Sequence, residues 1–304
     1  MEKERIEKWK ESRYMDLRTD FAFKKVFGEN KALLIDFLNV IIQEKNRIED
    51  IEYLQTEQLP EEEKQRRAIF DIFCKSDTGE EFIIELQIAS QWYFLDRVLY
   101  YMTFPIRRQA KKGEWDFKLQ PIYCISILDF IKFAGDDYYL SHLKIVRRET
   151  NQVAMDNMNI IVVELPKFKK TIKGLETTLD EWLYCFRNLG KLSNQPEKIS
   201  GTIFEELFKV TALKNLKTEE MEAYKTNILE CEEMKVSRRY ERAMGIEIGL
   251  KKGLERGLEK GLEKGLEKGR QQETKTIAKK MLSMGYPLSD ITQITGLTAE
   301  EICK

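Results

Sequence analysis

Two short apolar runs constrain this chain more than any other feature, because each holds an acid where a strand would bury it. The runs are Phe70-Asp71-Ile72-Phe73-Cys74 and Phe82-Ile83-Ile84-Glu85-Leu86-Gln87, separated by Ser76-Asp77-Thr78-Gly79. That tetrapeptide is turn chemistry, so the spacing predicts a hairpin of Ile69–Lys75 with Glu81–Ala89. Period-two alternation puts Glu85 and Gln87 on one sheet face, and a hairpin can bring Asp71 beside them. Ionised carboxylates resist burial and are rarely set among apolar neighbours without a partner. Two readings follow. The acids and Gln87 hold a hard divalent ion such as Mg²⁺ through oxygen ligands, or the acids point to solvent from a one-sided sheet. Spacing alone leaves both open. Asp77 and Glu80 are simply turn residues.

The rest of the composition narrows the chemistry. The single histidine, His142, excludes an HExxH site, and nothing around it suggests the base of a nucleophilic triad. Any catalysis therefore falls to carboxylates and a metal. The five cysteines show no CxxC spacing, which argues against zinc knuckles and redox motifs. With 304 residues, 42% hydrophobic and 34% charged, the chain supports one sizeable core plus an appendage. The net charge of −1 means that a nucleic-acid partner would meet a local basic surface. Clusters stand at Arg66 and Arg67, at Arg107, Arg108, Lys111 and Lys112, and at Lys167, Lys169, Lys170 and Lys173. In so charged a chain these otherwise read as solvated faces. No signal region or membrane-length apolar run is present, so the expectation is a soluble cytoplasmic protein with no membrane partner.

Along the chain, residues 1–15 read as a charged arm. A helix follows, with Phe23, Val26 and Phe27 on one face, capped by Thr19 or Asp20 and ended by Gly28. A second helix is predicted over 32–43. β-type alternation covers 48–58 and 67–74, then comes the hairpin, a helix over 94–108, a strand over 121–128 and another over 159–164. This order gives an α/β fold, a mixed sheet flanked by helices. Residues 16–175 would form that domain, and 176–242 a helical extension.

The tract at 243–270 places glycine at every fourth position from Gly245 to Gly269, with Gly-Leu-Glu-Lys units at its centre. Four residues turn a helix by about 400°, so the leucine stripe drifts by about 40° per unit, which favours right-handed packing. Each glycine costs roughly 1 kcal/mol relative to alanine. Either a partner packs closely against residues 245–269, most simply a second copy of the chain, or the tract is a partly helical linker. Residues 271–304 resemble a helix-turn-helix core. Their short last helix carries Glu300 and Glu301, which face phosphate repulsion and favour a packing or docking role.

These motifs, taken in order, resemble the Rpn family of recombination-promoting nucleases, described as transposases of the PD-(D/E)XK type. The similarity starts at Asp16-Leu17-Arg18-Thr19-Asp20-Phe21-Ala22-Phe23-Lys24-Lys25-Val26-Phe27-Gly28. It continues through Asp71, Ile84-Glu85-Leu86-Gln87, Phe94-Leu95-Asp96-Arg97-Val98-Leu99-Tyr100-Tyr101 and Pro121–Leu128, and includes the glycine-leucine repeat. The resemblance implies a restriction-endonuclease-like fold and a metal-dependent DNA endonuclease linked to recombination or mobile DNA. Asp71, Glu85 and Gln87 would be its catalytic residues. The Leu86 carbonyl would join Asp71 and Glu85 on Mg²⁺ or Mn²⁺. Gln87 stands where the family usually has lysine; glutamine is neutral and orients only by hydrogen bonds. Arg97 and Lys24 would contact DNA, the alternative for Arg97 being an ion pair with Asp96 or another acid. Asp20 is an N-cap or a further acid near the site. The competing expectation is a catalytically inactive nucleic-acid-binding or protein-interaction module on the same fold.

Overall fold

In the computed structural model, residues 12–43, 47–58, 67–110, 113 and 116–303 are described. The charged arm up to residue 11, Arg66, Lys111 and Lys112 lie outside them. The chain divides at Met234/Lys235 into two compact units.

The first unit is built on a six-stranded mixed sheet in the order β1-β4-β5-β6-β8-β7. Its strands are β1 (Ile51–Tyr53), β4 (Ile72–Ser76), β5 (Glu81–Gln87), β6 (Ile122–Leu128), β7 (Leu140–Val146) and β8 (Val153–Glu164), while β2 (Glu57–Gln58) and β3 (Ala68–Ile69) form a separate two-stranded ladder. Strands β5, β6 and β8 run parallel, and β1, β4 and β7 are antiparallel to their neighbours. This is the restriction-endonuclease-like arrangement, a mixed sheet between helices.

Alternation along the strands sends side chains to two cores. On one face, α1 (Asp20–Phe23), the π-helical turn Lys24–Gly28, α2 (Lys31–Ile42), α4 (Thr178–Asn188) and α5 (Thr202–Thr211) gather around an aromatic cluster. Phe27 stacks on Phe186 at 5.8 Å, and Phe37 meets Trp182 edge-on at 5.4 Å. Such pairs add about 0.5–1.5 kcal/mol each beyond the area they bury. On the other face, α3 (Phe94–Gln109) lays Phe94, Val98 and Met102 over Phe73, Ile83, Cys124 and Val162.

Several expectations shift. The helical extension expected over 176–242 buries Trp182, Phe186, Phe204 and Leu207 in the same core as the sheet. The end of the expected arm belongs to the fold too: the Met15 N–H donates to the Thr211 carbonyl at 2.8 Å, and Met15 is fully buried. The strand expected over 48–58 is broken into β1 and β2. Strand β7 has no counterpart in the sequence reading, and β8 begins six residues before Asn159, because their outer parts face solvent and mix apolar side chains such as Ile145 and Met155 with polar ones. His142 lies on β7 opposite Ile161.

Part of the basic clusters is engaged within the fold. Arg108 pairs with Glu81 at 2.8 Å, Lys167 with Glu164 at 2.8 Å and Lys170 with Asp180 at 2.8 Å. Asp180 also closes a capping box with Thr177 at the start of α4. Burial opposes its charge. Hydrogen bonds from Lys170 and from the Glu176 and Thr177 N–H groups outweigh that and hold the carboxyl below its usual range.

Within the second unit, the repeat belongs to α6 (Thr218–Ser283), and α7 (Leu288–Thr295) and α8 (Ala299–Cys303) close on its end around Ala278, Ile291 and Ile302. Glu301 accepts hydrogen bonds from the Thr298 N–H and hydroxyl, both at 2.9 Å, and so caps its own helix.

One glycine is required by a close approach. A Cβ on Gly190 would stand 2.9 Å from Asp16 Cβ and 3.0 Å from its Cα, whereas at Gly174 it would meet nothing within 4 Å. Gly190→Ala is therefore expected to destabilise the protein by about 1–3 kcal/mol through overpacking. In a unit of this size that is a fall of roughly 2–10 °C in Tm, with Gly174→Ala close to neutral. Calorimetry of the two variants checks this; equal melting temperatures would refute it.

Candidate active site

The hairpin is interrupted where its acids stand. Strands β4 and β5 pair Ile72 with Ile84 and Phe73 with Ile83, so one step further Asp71 faces Glu85. The ladder stops there, because β3 ends at Ile69 and β4 begins at Ile72. Side chains take over the backbone's hydrogen bonds. The Asp71 N–H donates to Glu85 Oε1 at 3.1 Å, and the Leu86 N–H donates to Asp71 Oδ2 at 2.8 Å. Each carboxylate is thus fixed by the main chain of the opposite strand. Phe70 anchors the interruption against Phe73 and Tyr101, at 5.2 and 5.1 Å between ring centres.

Glu85 is 5% exposed and Gln87 6%, so both lie inside the protein surface. From α3, Arg97 reaches Glu85 Oε2 at 3.3 Å and Gln91 Oε1 at 3.1 Å, with its guanidinium 5.2 Å from the Tyr101 ring centre. The ion pair that sequence reasoning assigned to Asp96 or another acid is therefore made with Glu85, a site residue. Lys24 enters from the π-helical turn. Its Nζ lies 2.8 Å from Asp20 and 3.9 Å from Asp71 Oδ1. Asp20 is not the helix cap: the Thr19 hydroxyl accepts the Ala22 N–H and caps α1, leaving the Asp20 carboxylate to hold Lys24. The structure thus brings Asp71, Glu85, Gln87, Leu86, Arg97 and Lys24 into one neighbourhood. Sequence reasoning missed Gln91 and the tethering role of Asp20. The i,i+4 spacing of Asp20 and Lys24 predicts that they pair, but not that Asp71 lies beside them.

The electrostatics follow from this crowding. Burial pushes the Glu85 carboxyl up to about 8, and the neighbouring Asp71 charge pushes the same way. The Asp71 N–H and Arg97 offset this only in part. Asp71 is also raised, first by burial and then by Asp20, against the Leu86 N–H, Lys24 and Arg97. Two buried acids facing each other resist holding both charges.

The donor set suits a hard cation. It consists of two carboxylates and the Gln87 Oε1, which is buried and has no hydrogen-bond partner among the described residues. A buried carbonyl oxygen without a partner is costly, and a bound ion or its water would satisfy it. Among the described residues no group of three or more His, Cys, Asp or Glu side chains is placed to hold a metal.

Residues 17–236 match the family described as PD-(D/E)XK nuclease family transposase. Residues 271–304 match the C-terminal helix-turn-helix domain of the Rpn/YhgA-like nuclease family. No curated protein and no solved structure matches the chain. The first match spans most of the chain, including the interrupted hairpin, and the second accounts for the tail, so the chain belongs to the PD-(D/E)XK nuclease family transposases of the Rpn/YhgA-like kind.

Proposed function

We propose that the protein is a metal-dependent DNA endonuclease that hydrolyses phosphodiester bonds, with Asp71, Glu85 and the Leu86 carbonyl holding Mg²⁺ or Mn²⁺. The observation that carries this reading is the exchange of hydrogen bonds between Asp71 and Glu85 across the interrupted hairpin. An apolar hairpin gains nothing in packing from two facing acids, and their burial is unfavourable unless a cation joins them. When bound, the ion supplies a Lewis acid for the phosphoryl oxygen and a water of lowered pKa. The chain's own residues do the rest. Gln87 orients the attacking water by hydrogen bonds, without acting as a base. Arg97 keeps Glu85 in place through its ion pair and, with its side chain partly exposed, offers a further donor to DNA. The helix-turn-helix match supports DNA as the partner. No described helix is long and apolar enough to cross a membrane.

The repeat supports a second copy of the chain as a further partner. A Cβ added at any glycine from Gly245 to Gly269 would meet nothing within 4 Å. Nothing among the described residues therefore requires these glycines. Beside them Leu254, Leu258, Leu262 and Leu266 are each 63–67% exposed. Each leucine buried would contribute about 1.5–3 kcal/mol. Every Gly-Leu-Glu-Lys unit is neutral, so two copies can approach without net repulsion.

Three outcomes are expected. Purified protein should nick or cleave DNA in Mg²⁺ or Mn²⁺, and Asp71→Asn and Glu85→Gln should each lower the single-turnover rate by at least about 10³-fold. A parent protein that cleaves no DNA with either ion, or variants as active as the parent, would sink the reading. Secondly, stability should depend on pH through Glu85. Its carboxyl is raised on folding, so the folded state binds the proton more tightly. The group's favourable contribution is complete below about 4.5 and is lost as pH climbs to about 8. Without metal, Glu85→Gln should therefore melt a few degrees above the parent at pH 8, and the gap should close towards pH 5. An equal gap at both pH values would contradict the burial argument. Thirdly, sedimentation should show a dimer or larger species. Alanine at Gly253, Gly257, Gly261 and Gly265 should weaken it while raising helicity, because alanine favours the helix but blocks close approach. A monomeric parent at tens of micromolar would remove the second copy as partner.

A further inference from the structure

We propose that Lys24, tethered by Asp20, supplies the cation that position 87 lacks, so that the positive charge facing the scissile phosphate comes from a helix rather than from strand β5. The inference rests on the nuclease reading above and assigns a task that Gln87 cannot perform.

The geometry is specific. Lys24 Nζ lies 3.9 Å from Asp71 Oδ1, the oxygen left over after Asp71 Oδ2 accepts the Leu86 N–H. Lys24 remains 46% exposed where Asp71 is 20% exposed, so its ammonium lies on the solvent side of the acid pair, where a phosphodiester would arrive. A lysine with four rotatable bonds does not normally hold one position at a half-exposed site. Asp20 fixes it, with 2.8 and 2.9 Å contacts to its two carboxylate oxygens. Asp20 is free for this because Thr19 caps the helix. Lys24 also opens a π-helical turn, Lys24–Gly28, whose Val26 and Phe27 are fully buried. Such turns recur at functional sites, since the wider turn re-aims side chains within a helix. Here the buried Val26 and Phe27 anchor the turn that carries Lys24, whose ammonium lies 3.9 Å from Asp71 Oδ1.

The other cation at the site is differently placed. Arg97 pairs with Glu85, whose side chain is almost wholly buried, and stacks by Tyr101. Gln87 offers a neutral amide with an unpartnered oxygen, suited to a water or an ion rather than to an anion. Lys24 is the more exposed of the two cations and the one beside Asp71, placed to meet a non-bridging oxygen of the scissile phosphate. It stays an ammonium throughout: it donates a hydrogen bond and stabilises the charge that builds on the phosphoryl oxygens, and no proton is transferred through it.

Its ammonium also opposes a divalent ion beside Asp71. That gives the inference a signature apart from turnover. Lys24→Gln should lower single-turnover cleavage by about 10²-fold, yet bind Mn²⁺ about fivefold more tightly by titration calorimetry. Lys24→Arg should keep near-parental Mn²⁺ affinity and part of the activity. In the Lys24→Gln background, Gln87→Lys should recover at least about tenfold of the lost rate, because the ammonium is returned from the strand. Melting curves confirm that each variant folds. If the parent cleaves and Lys24→Gln cleaves equally well, or binds Mn²⁺ no more tightly, or is not rescued by Gln87→Lys, the assignment to Lys24 is overturned while the nuclease stands. If the parent itself fails to cleave, the nuclease reading falls first and this inference with it.

Discussion

Everything at the site depends on one exchange, in which the carboxylates of Asp71 and Glu85 take over hydrogen bonds that the backbone of two strands would otherwise make to each other. The exchange solves two problems at once. It satisfies the N–H groups of Asp71 and Leu86 at a break in the ladder, where an unpaired buried donor would be costly. It also locks the rotamer of each acid to the main chain of the neighbouring strand, so that neither can swing to solvent. The acids are held by rigid elements rather than loops, which is the requirement for a site whose ligands must be in place before the ion arrives.

The same constraint sets the charge balance. Asp20, Asp71 and Glu85 bring three carboxylates against two cations, Lys24 and Arg97, when all are ionised. The local sum is then one negative charge, in a place where burial pushes the two central carboxyls towards their neutral forms. A divalent cation turns that sum to one positive charge, which a phosphodiester cancels. On the proposed reading, metal and substrate therefore each supply what the other needs. The ionised pair has little besides its backbone donors to favour it, in keeping with the firmness with which those donors hold the acids.

Much of this was legible in the residues. Alternation in the hairpin gave the shared face of Glu85 and Gln87, and the turn gave the antiparallel pairing that sets Asp71 opposite Glu85. The parallel strands β6 and β8 were visible where they are apolar. Strand β7 and the outer part of β8 were not, because their outer pairing is exposed at the sheet edge, where apolar residues such as Ile145 and Met155 mix with polar ones and leave no clean period in hydrophobicity. The break at Phe70 and Asp71 was invisible for another reason: alternation continues through it, and only the hydrogen-bond pattern changes. Basic clusters were the poorest guide. Lys167 and Lys170 look like a charged face in sequence, but their partners, Glu164 and Asp180, are fully buried acids brought close by the fold.

On the proposed role of Lys24, the site keeps its charge while changing where the charge comes from. A lysine on β5 would be oriented by the strand and the core beneath it. A lysine reaching in from a helix has far more rotamer freedom, and that entropy must be offset by a second contact. The Asp20 carboxylate is such a contact, and it adds a negative charge to the site in the process. The helix-borne cation thus comes with an acid, whereas a strand-borne one would not. The neutrality of Gln87 and the presence of Asp20 are then two sides of one arrangement, and the orphaned Gln87 oxygen is left to face the ion's water instead of the phosphate.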